Sequence, residues 1–249
     1  MKALILAAGY ATRLYPLTLT QPKPLLPVAG RAMVEYVLDN LLAVGDLERV
    51  YVVTNAKFDG HFVKWAADYR ARKQAAFEFT IVNDQSTDDT NKLGAIGDLH
   101  LVLEREKVDD DLIVVAGDNL FSQPLGGFGE VCRQRNAPVL GIYDVGSLDL
   151  AKKYSTVDLA EDGRILKFEE KPPQPTSTLV GIALYYYPRH VLPLIRQYVA
   201  EGNNPDQPGR LVQWMCTRTP FYTWQVPGLW YDIGSKETYE EANRIFGKA

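Results

Sequence analysis

Arg13 and Lys23 are the first side chains in this sequence with an evident chemical use. They follow a turn of small residues, Ala8, Gly9, Ala11 and Thr12, in which successive backbone N–H groups can approach an anion closely and form a nest. Cationic side chains beside such a turn make charge-assisted hydrogen bonds to phosphate oxygens, roughly twice as strong as neutral ones. The stretch Met1 to Gly30 is therefore expected to cradle a triphosphate. The plainer reading is an ordinary strand-to-helix turn with two solvated basic residues. Two other phosphate motifs are excluded. A Walker A loop needs Gly-Lys five positions after its first glycine, where Leu14 and Tyr15 follow Gly9. A dinucleotide fingerprint needs second and third glycines, where Ala11 and Leu14 stand.

A second chemical candidate is Asp118, in Gly117-Asp118-Asn119 directly after the apolar run Leu112 to Ala116. A carboxylate just past the end of a central strand lies at the ligand-binding edge of an open α/β sheet, although the same tripeptide is compatible with a simple turn. Cys132 and Cys216 are far apart and form no C-x-x-C, which predicts two buried free thiols. His61, His100 and His190 are equally scattered, so no structural zinc is expected; any metal should be a hard cation held by carboxylates and phosphates.

The elements that must position these groups can be read from periodicity. Ala3 to Leu6 is a buried parallel strand by its continuous apolar run. Met33, Val34, Val37, Leu38, Leu41 and Leu42 predict an amphipathic helix ended by Gly45, and Arg49 to Thr54 a second strand, which completes a βαβ unit. Phe58, Phe62, Trp65 and Tyr69 predict a helix whose aromatic stripe is core packing. Phe77 to Val82 is a strand and Ala95 to Arg105 a helix, separated by the polar loop Asn83 to Leu93. Pro138 to Val145, Thr156 to Leu159 and Ile165 to Glu169 read as strands, with a hairpin at Asp162-Gly163. Pro188 to Ala200 reads as a helix, and so does Lys236 to Phe246, with Ser235 as N-cap. Asn203 to Arg210 is a loop without an assignment.

The chain has 249 residues, 46% hydrophobic and 23% charged, ordinary globular material with no repeat or low-complexity tract. Its net charge of −4 argues against a broad nucleic-acid or anionic-membrane surface. No apolar run approaches the roughly 18 residues of a membrane span, and no secretory leader pattern opens the chain. A cytoplasmic protein is expected. The oligomeric state cannot be read from the sequence.

Leu6-Ala7-Ala8-Gly9-Tyr10-Ala11-Thr12-Arg13-Leu14, then Pro16-Leu17-Thr18, then Pro22-Lys23-Pro24-Leu25-Leu26-Pro27-Val28 and Gly30 to Met33 resemble the signature of the nucleotide-sugar pyrophosphorylases, sugar-1-phosphate nucleotidyltransferases. The resemblance is strongest at residues 1–33, 112–121, 165–187 and 230–234. It implies an α/β fold, a Rossmann-like three-layer sandwich with a mixed, mainly parallel sheet and a smaller β-rich sugar-binding part. It further implies one domain over 1–249, with a nucleotide half to about residue 121 and a sugar-phosphate half beyond, and no separate allosteric domain.

The site residues follow from the same resemblance. Leu6, Ala8, Gly9, Ala11, Thr12, Arg13 and Lys23 would meet the nucleotide, with Asn83 or Gln85 and the pair Leu93-Gly94 on its base side. Asp118 would also touch the nucleotide and, with Asp232 of the Trp230-Tyr231-Asp232-Ile233-Gly234 segment, would bind Mg²⁺. Asn119, Tyr154, Glu170, Lys171 and Gly181 would hold the sugar phosphate, although Gly181 could equally mark a bulge. Arg13, Lys23, Asp118 and Lys171 are the implied catalytic set. Two positions depart from the pattern: Ser155 stands where a glycine is usual, and Ala11 replaces the second glycine of the turn. If position 11 needs positive φ, alanine is strained there by roughly a kcal/mol.

The implied reaction joins a nucleoside triphosphate, dTTP or UTP favoured, to a hexose 1-phosphate. The attacking phosphate oxygen is already anionic, so no general base is needed, and none stands out. A cytidylyl or guanylyl donor with another acceptor such as phosphocholine, and a silent nucleotide-sugar-binding regulator, are the alternatives.

Overall fold

The computed structural model describes residues 1–247. In chain order its strands are β1 (Lys2–Leu6), β2 (Pro27–Val28), β3 (Arg31–Ala32), β4 (Arg49–Thr54), β5 (Glu78–Asn83), β6 (Leu112–Ala116), β7 (Asn119–Phe121), β8 (Val139–Asp144), β9 (Ser155–Leu159), β10 (Ile165–Glu169), β11 (Leu179–Tyr187), β12 (Tyr222–Gln225) and β13 (Trp230–Asp232). Its α-helices are α1 (Met33–Leu41), α2 (Asp59–Lys73), α3 (Ala95–Arg105), α4 (Gly126–Arg135), α5 (Leu148–Ala151), α6 (Leu192–Ala200), α7 (Pro208–Met215) and α8 (Lys236–Phe246).

β1 is hydrogen-bonded in parallel on both sides, to β4 and to β6, which is why Ala3, Leu4 and Ile5 are all fully buried. Its side chains alternate between two cores. Ala3 and Ile5 join Val50, Val52 and the inner faces of α1 and α2, whereas Leu4 joins Tyr51, Val53 and the face of α3. Helices therefore cover both faces of one sheet, a three-layer α/β architecture. The main sheet runs β10-β9-β11-β6-β1-β4-β5, with β8 and β12 added beside β11. Only β10 and β11 run against the other seven strands, so the sheet is mixed and mainly parallel.

The position of the site follows from this order. The chain proceeds from β1 outward through β4 to β5, then crosses back by α3 to β6 on the other side of β1. The connections out of β1 and β6 leave their carboxyl ends in opposite directions, opening a crevice where ligands bind in such sheets. The Gly9 to Arg13 turn leaves β1 there, and Asp118 follows β6 there.

The aromatic stripe of α2 is core: Trp65 and Tyr69 pack on Phe79 with ring centroids at 5.4 and 5.9 Å. Cys132 is buried and free as expected, but Cys216 is half-buried. The segment expected to be loop from Asn203 to Arg210 is a correction, since α7 begins at Pro208, whose missing N–H is no loss at a helix start. α7 packs Leu211, Val212 and Met215 into the core beside α6. No helix among the described residues is long and apolar enough to cross a membrane.

Candidate active site

The turn after β1 is shaped by its second small residue. Ala11 is left-handed, with φ 46° and ψ 46°, and a short 3₁₀ turn, Thr12–Leu14, follows it. The Ala11 carbonyl is held from two sides, accepting from Leu14 N at 3.0 Å and from Thr18 Oγ1 at 2.8 Å. The strain foreseen for alanine here is therefore real, and the surrounding bonds enforce it. Ala11→Gly is expected to stabilise the chain by up to about 1 kcal/mol, the left-handed penalty less the unfolded-state entropy of glycine, as measured by urea denaturation. A loss of stability would show that the methyl is doing more than bearing strain.

The two candidate metal carboxylates are brought together by a small sheet. β7 and β13 pair antiparallel, with Asn119 opposite Asp232, so Asp118 and Asp232 become neighbours despite their distance in sequence. Trp230 Nε1 donates to Asn119 Oδ1 at 2.6 Å, and Asn119 Nδ2 donates to Asp118 Oδ1 at 3.2 Å. Asn119 is thus engaged by protein on both ends of its amide and fixes the Asp118 carboxylate. The other Asp118 oxygen accepts from Lys23 Nζ at 2.5 Å. Burial and then the charge of Asp118 push the Asp232 carboxyl up to about 6, against the pull of Lys23, Lys171 and Arg13. The crowding of Asp232 by a second carboxylate is what a divalent cation would relieve. Two carboxylates also match the hard-oxygen demand of Mg²⁺, which takes the rest of its shell from phosphate and water. The pair fits such an ion.

These groups face a cavity of about 630 Å³. Arg13, Asp118, Asn119, Tyr154, Glu170, Lys171, Gly181 and Asp232 all line it. Lys23 is joined to it through Asp118. Its floor opens because β9 and β6 share one edge of β11 without meeting: β9 pairs at Val180 and Gly181, β6 only from Leu184 onward. A Cβ added on Gly181 would press on Leu140 and Phe168 at 3.0 and 3.3 Å, so this glycine also serves packing at an irregular point of the β8 ladder.

Ser155 Oγ donates to Glu170 Oε2 at 2.5 Å, giving the departure from glycine a use. Lys171 is exposed and left-handed with φ 46°, a second strained backbone besides Ala11. Tyr154 packs edge-on against Trp230 at 5.3 Å, and burial followed by the charge of Asp232 pushes its hydroxyl up to about 12, so it is a neutral donor.

Sequence reasoning missed Lys153, Tyr185 and Gly209, which also line the cavity. Lys153 is one of two adjacent lysines with no motif, and Tyr185 lies in a run of three tyrosines that reads as core. Gly209 was hidden in the unassigned loop. A Cβ there would stand 1.8 Å from Glu170 Oε2. Gly209→Ala is expected to displace Glu170 and raise the KM for the acceptor roughly tenfold, with the nucleotide KM unchanged in initial-rate assays.

The remaining nucleotide candidates lie outside the cavity lining. Leu6, Ala8, Gly9, Ala11 and Thr12 belong to the end of β1 and its turn. Asn83 donates to Asp59 Oδ2 at 2.9 Å and accepts from Gln85 N at 2.8 Å, while Gln85 itself is exposed. Leu93 is exposed, and Gly94, with φ 81°, admits the backbone of Asp206, which a Cβ would meet at 2.6 Å. That packing alone requires glycine at position 94.

The sequence profile described as "Nucleotidyl transferase" matches residues 2–248. The chain belongs to the nucleotidyl transferase family. It is 29% identical to the UTP–glucose-1-phosphate uridylyltransferase of Synechocystis over 98% of this chain and 63% of that protein. It is 27% identical to the glucose-1-phosphate adenylyltransferase of Thermomicrobium roseum over 96% of this chain and 58% of that protein. The chain thus spans about three fifths of the length of these curated relatives. A solved UDP-glucose pyrophosphorylase complexed with UDP-glucose superposes with a TM-score of 0.81 at 23% identity, covering 99% of this chain and 98% of that one, a likeness of fold.

Proposed function

We propose that this nucleotidyl transferase family member moves a nucleoside monophosphate from a nucleoside triphosphate to a hexose 1-phosphate, releasing pyrophosphate. The observation that carries the reading is the meeting in one cavity of a paired carboxylate site, Asp118 and Asp232, with the cations Arg13 and Lys171. An oxygen of the acceptor phosphate forms a bond to the α-phosphorus, and the bond from that phosphorus to the bridging oxygen of pyrophosphate breaks.

Lys171 positions the attacking phosphate, Arg13 the leaving pyrophosphate, and Lys23, anchored on Asp118, the phosphates between them. Catalysis is then positioning and charge neutralisation between two polyanions, with no proton to remove. Mg²⁺ held by Asp118 and Asp232 would neutralise phosphate charge in the in-line transition state. Glu170, with Tyr154 nearby, faces the acceptor hydroxyls, and the Gly9 to Arg13 turn receives the triphosphate through its N–H groups. Asn83, Gln85, Leu93 and Gly94 remain the base-side candidates. dTTP and UTP are the favoured donors, in keeping with the uridylyltransferase relative.

A matrix of five nucleoside triphosphates against several sugar 1-phosphates, with Mg²⁺ and pyrophosphate release as readout, tests the reading. Turnover with dTTP or UTP and a hexose 1-phosphate is expected. No release with any pair would overturn it.

A further inference from the structure

Tyr10 stands in the middle of the phosphate turn, yet the chemistry above makes no use of it. Its side chain is buried, and its hydroxyl reaches Ser86 Oγ at 3.2 Å instead of the cavity. Ser86 Oγ donates to the Asp84 carboxylate, at 2.8 and 2.9 Å from its two oxygens, so Tyr10 is the donor in the Tyr10–Ser86 bond. The post to which Tyr10 is tied is rigid. Ser86 N donates to Asp84 Oδ1 at 2.7 Å, Asp84 N to the Thr54 carbonyl at 2.8 Å, and Ala56 N to the Ser86 carbonyl at 2.9 Å.

Behind Asp84 stands Asp98, in the first turn of α3. Both carboxyls are only 6% exposed, and neither has an ion-pair partner among the described residues. Asp98 Oδ1 is buried without a conventional partner. Two ionised carboxylates in such a place are prohibitive, and one shared proton turns the pair into donor and acceptor. Burial, the charge of Asp84 and the hydrogen bond to it push Asp98 up to about 8, with a further contribution from Asp206.

We propose that Tyr10 is a positioning residue for the nucleotide: a chain of hydrogen bonds from protonated Asp98 through Asp84 and Ser86 holds its hydroxyl and thereby fixes the Gly9 to Arg13 turn. The inference rests on reading that turn as the nucleotide cradle. The tether acts on the residue immediately before the strained Ala11, where the backbone has the most to gain by relaxing. The titratable groups facing Asp98 are Asp84 and Asp206, and those facing Tyr10 are Asp84, Asp88 and Asp89, all acidic. Lys92 pairs with Asp89 and Asp206 at 3.3 and 3.7 Å but with neither Asp84 nor Asp98, so ionisation of Asp98 adds charge to an acidic set of neighbours.

The test is nucleotide affinity by calorimetry with Mg²⁺ and each of five nucleoside triphosphates, together with initial-rate kinetics, on four chains. Tyr10→Phe and Ser86→Ala are each expected to weaken nucleotide binding and raise its KM roughly tenfold, leaving the acceptor KM unchanged. In the wild type the nucleotide KM rises between pH 7 and 9.5 as Asp98 loses its proton. Asp98→Asn, whose amide donates at every pH, keeps the neutral-pH value throughout. Unchanged nucleotide KM in both Tyr10→Phe and Ser86→Ala would overturn the tether, and an alkaline rise in Asp98→Asn equal to the wild type's would overturn the proton chain. A wild type that binds no nucleoside triphosphate would remove the proposed function and this inference with it; one that binds and turns over isolates the inference.

Discussion

Asp118→Asn is expected to lower pyrophosphate release by about two to three orders of magnitude while changing the urea midpoint little. The activity loss follows from what the carboxylate touches. Asp118, just before β7, and Asp232, at the end of β13, line the cavity together with its cations, and Asp118 Oδ2 holds Lys23 Nζ at 2.5 Å. Removing its charge halves the anionic site proposed for Mg²⁺ and releases the cation proposed to brace the phosphates. The stability change is small because two effects oppose each other. A partly buried lysine loses its partner, which taken alone is costly, but Asp232 loses the neighbouring charge that helps raise its pKa to about 6. Asp232 also lies near enough to Lys23 to take over part of the pairing. Near-normal turnover in the variant would remove Asp118 from the reaction.

Lys171→Ala is expected to raise the KM for the sugar 1-phosphate by about 10- to 100-fold, the worth of a charge-assisted bond, with a smaller change for the nucleotide. Lys171 is exposed and joins no ion pair among the described residues, so its ammonium is free to meet a phosphate. Its left-handed backbone follows Glu170, whose carboxylate is held by Ser155 and crowded by Gly209, so the lysine is launched from a rigid point. Alanine keeps that backbone conformation at the same strain, which makes the comparison one of side chain alone. An unchanged dependence on the acceptor would take Lys171 out of the role.

The pH behaviour of stability offers a separate check on the buried pair behind Tyr10. The Asp98 carboxyl is raised in the fold above its unfolded value near 4, so the folded chain holds a proton that the unfolded chain releases. Its contribution is complete below pH 4 and is lost as pH rises toward 8, with a slope of at most about 1.4 kcal/mol per pH unit. Asp98→Asn is expected to flatten this decline in urea denaturation across pH 5 to 8.

The local elements were legible because short-range patterns decide them. Arg49 to Thr54, Ala95 to Arg105, Leu112 to Ala116, Ile165 to Glu169 and Lys236 to Phe246 all have the bounds that apolar periodicity and the Ser235 cap predict. α7 was illegible because its first residues, Pro208 and Gly209, carry turn propensities, and its helical face is defined by what it packs on. β7 and β13 were illegible for a related reason: three-residue strands exist only through their partner.

The sequence by itself determined the family resemblance, the strand that opens the chain, the basic residues beside its turn and the carboxylates that could serve a metal. Those are facts of residue type and near-neighbour spacing. The tertiary structure alone decided that Asn119 stands opposite Asp232, that Gly209 must be glycine because Glu170 comes against it, and that Tyr10 turns away from the cavity to Ser86. It also decided the sign of φ at Ala11, because the bonds enforcing that angle come from Leu14 and Thr18 once the loop has folded back. The first three depend on contacts between segments distant in sequence, whose closeness is set by the order of strands in the sheet, and the last on a loop closing over itself, none of which a local preference decides.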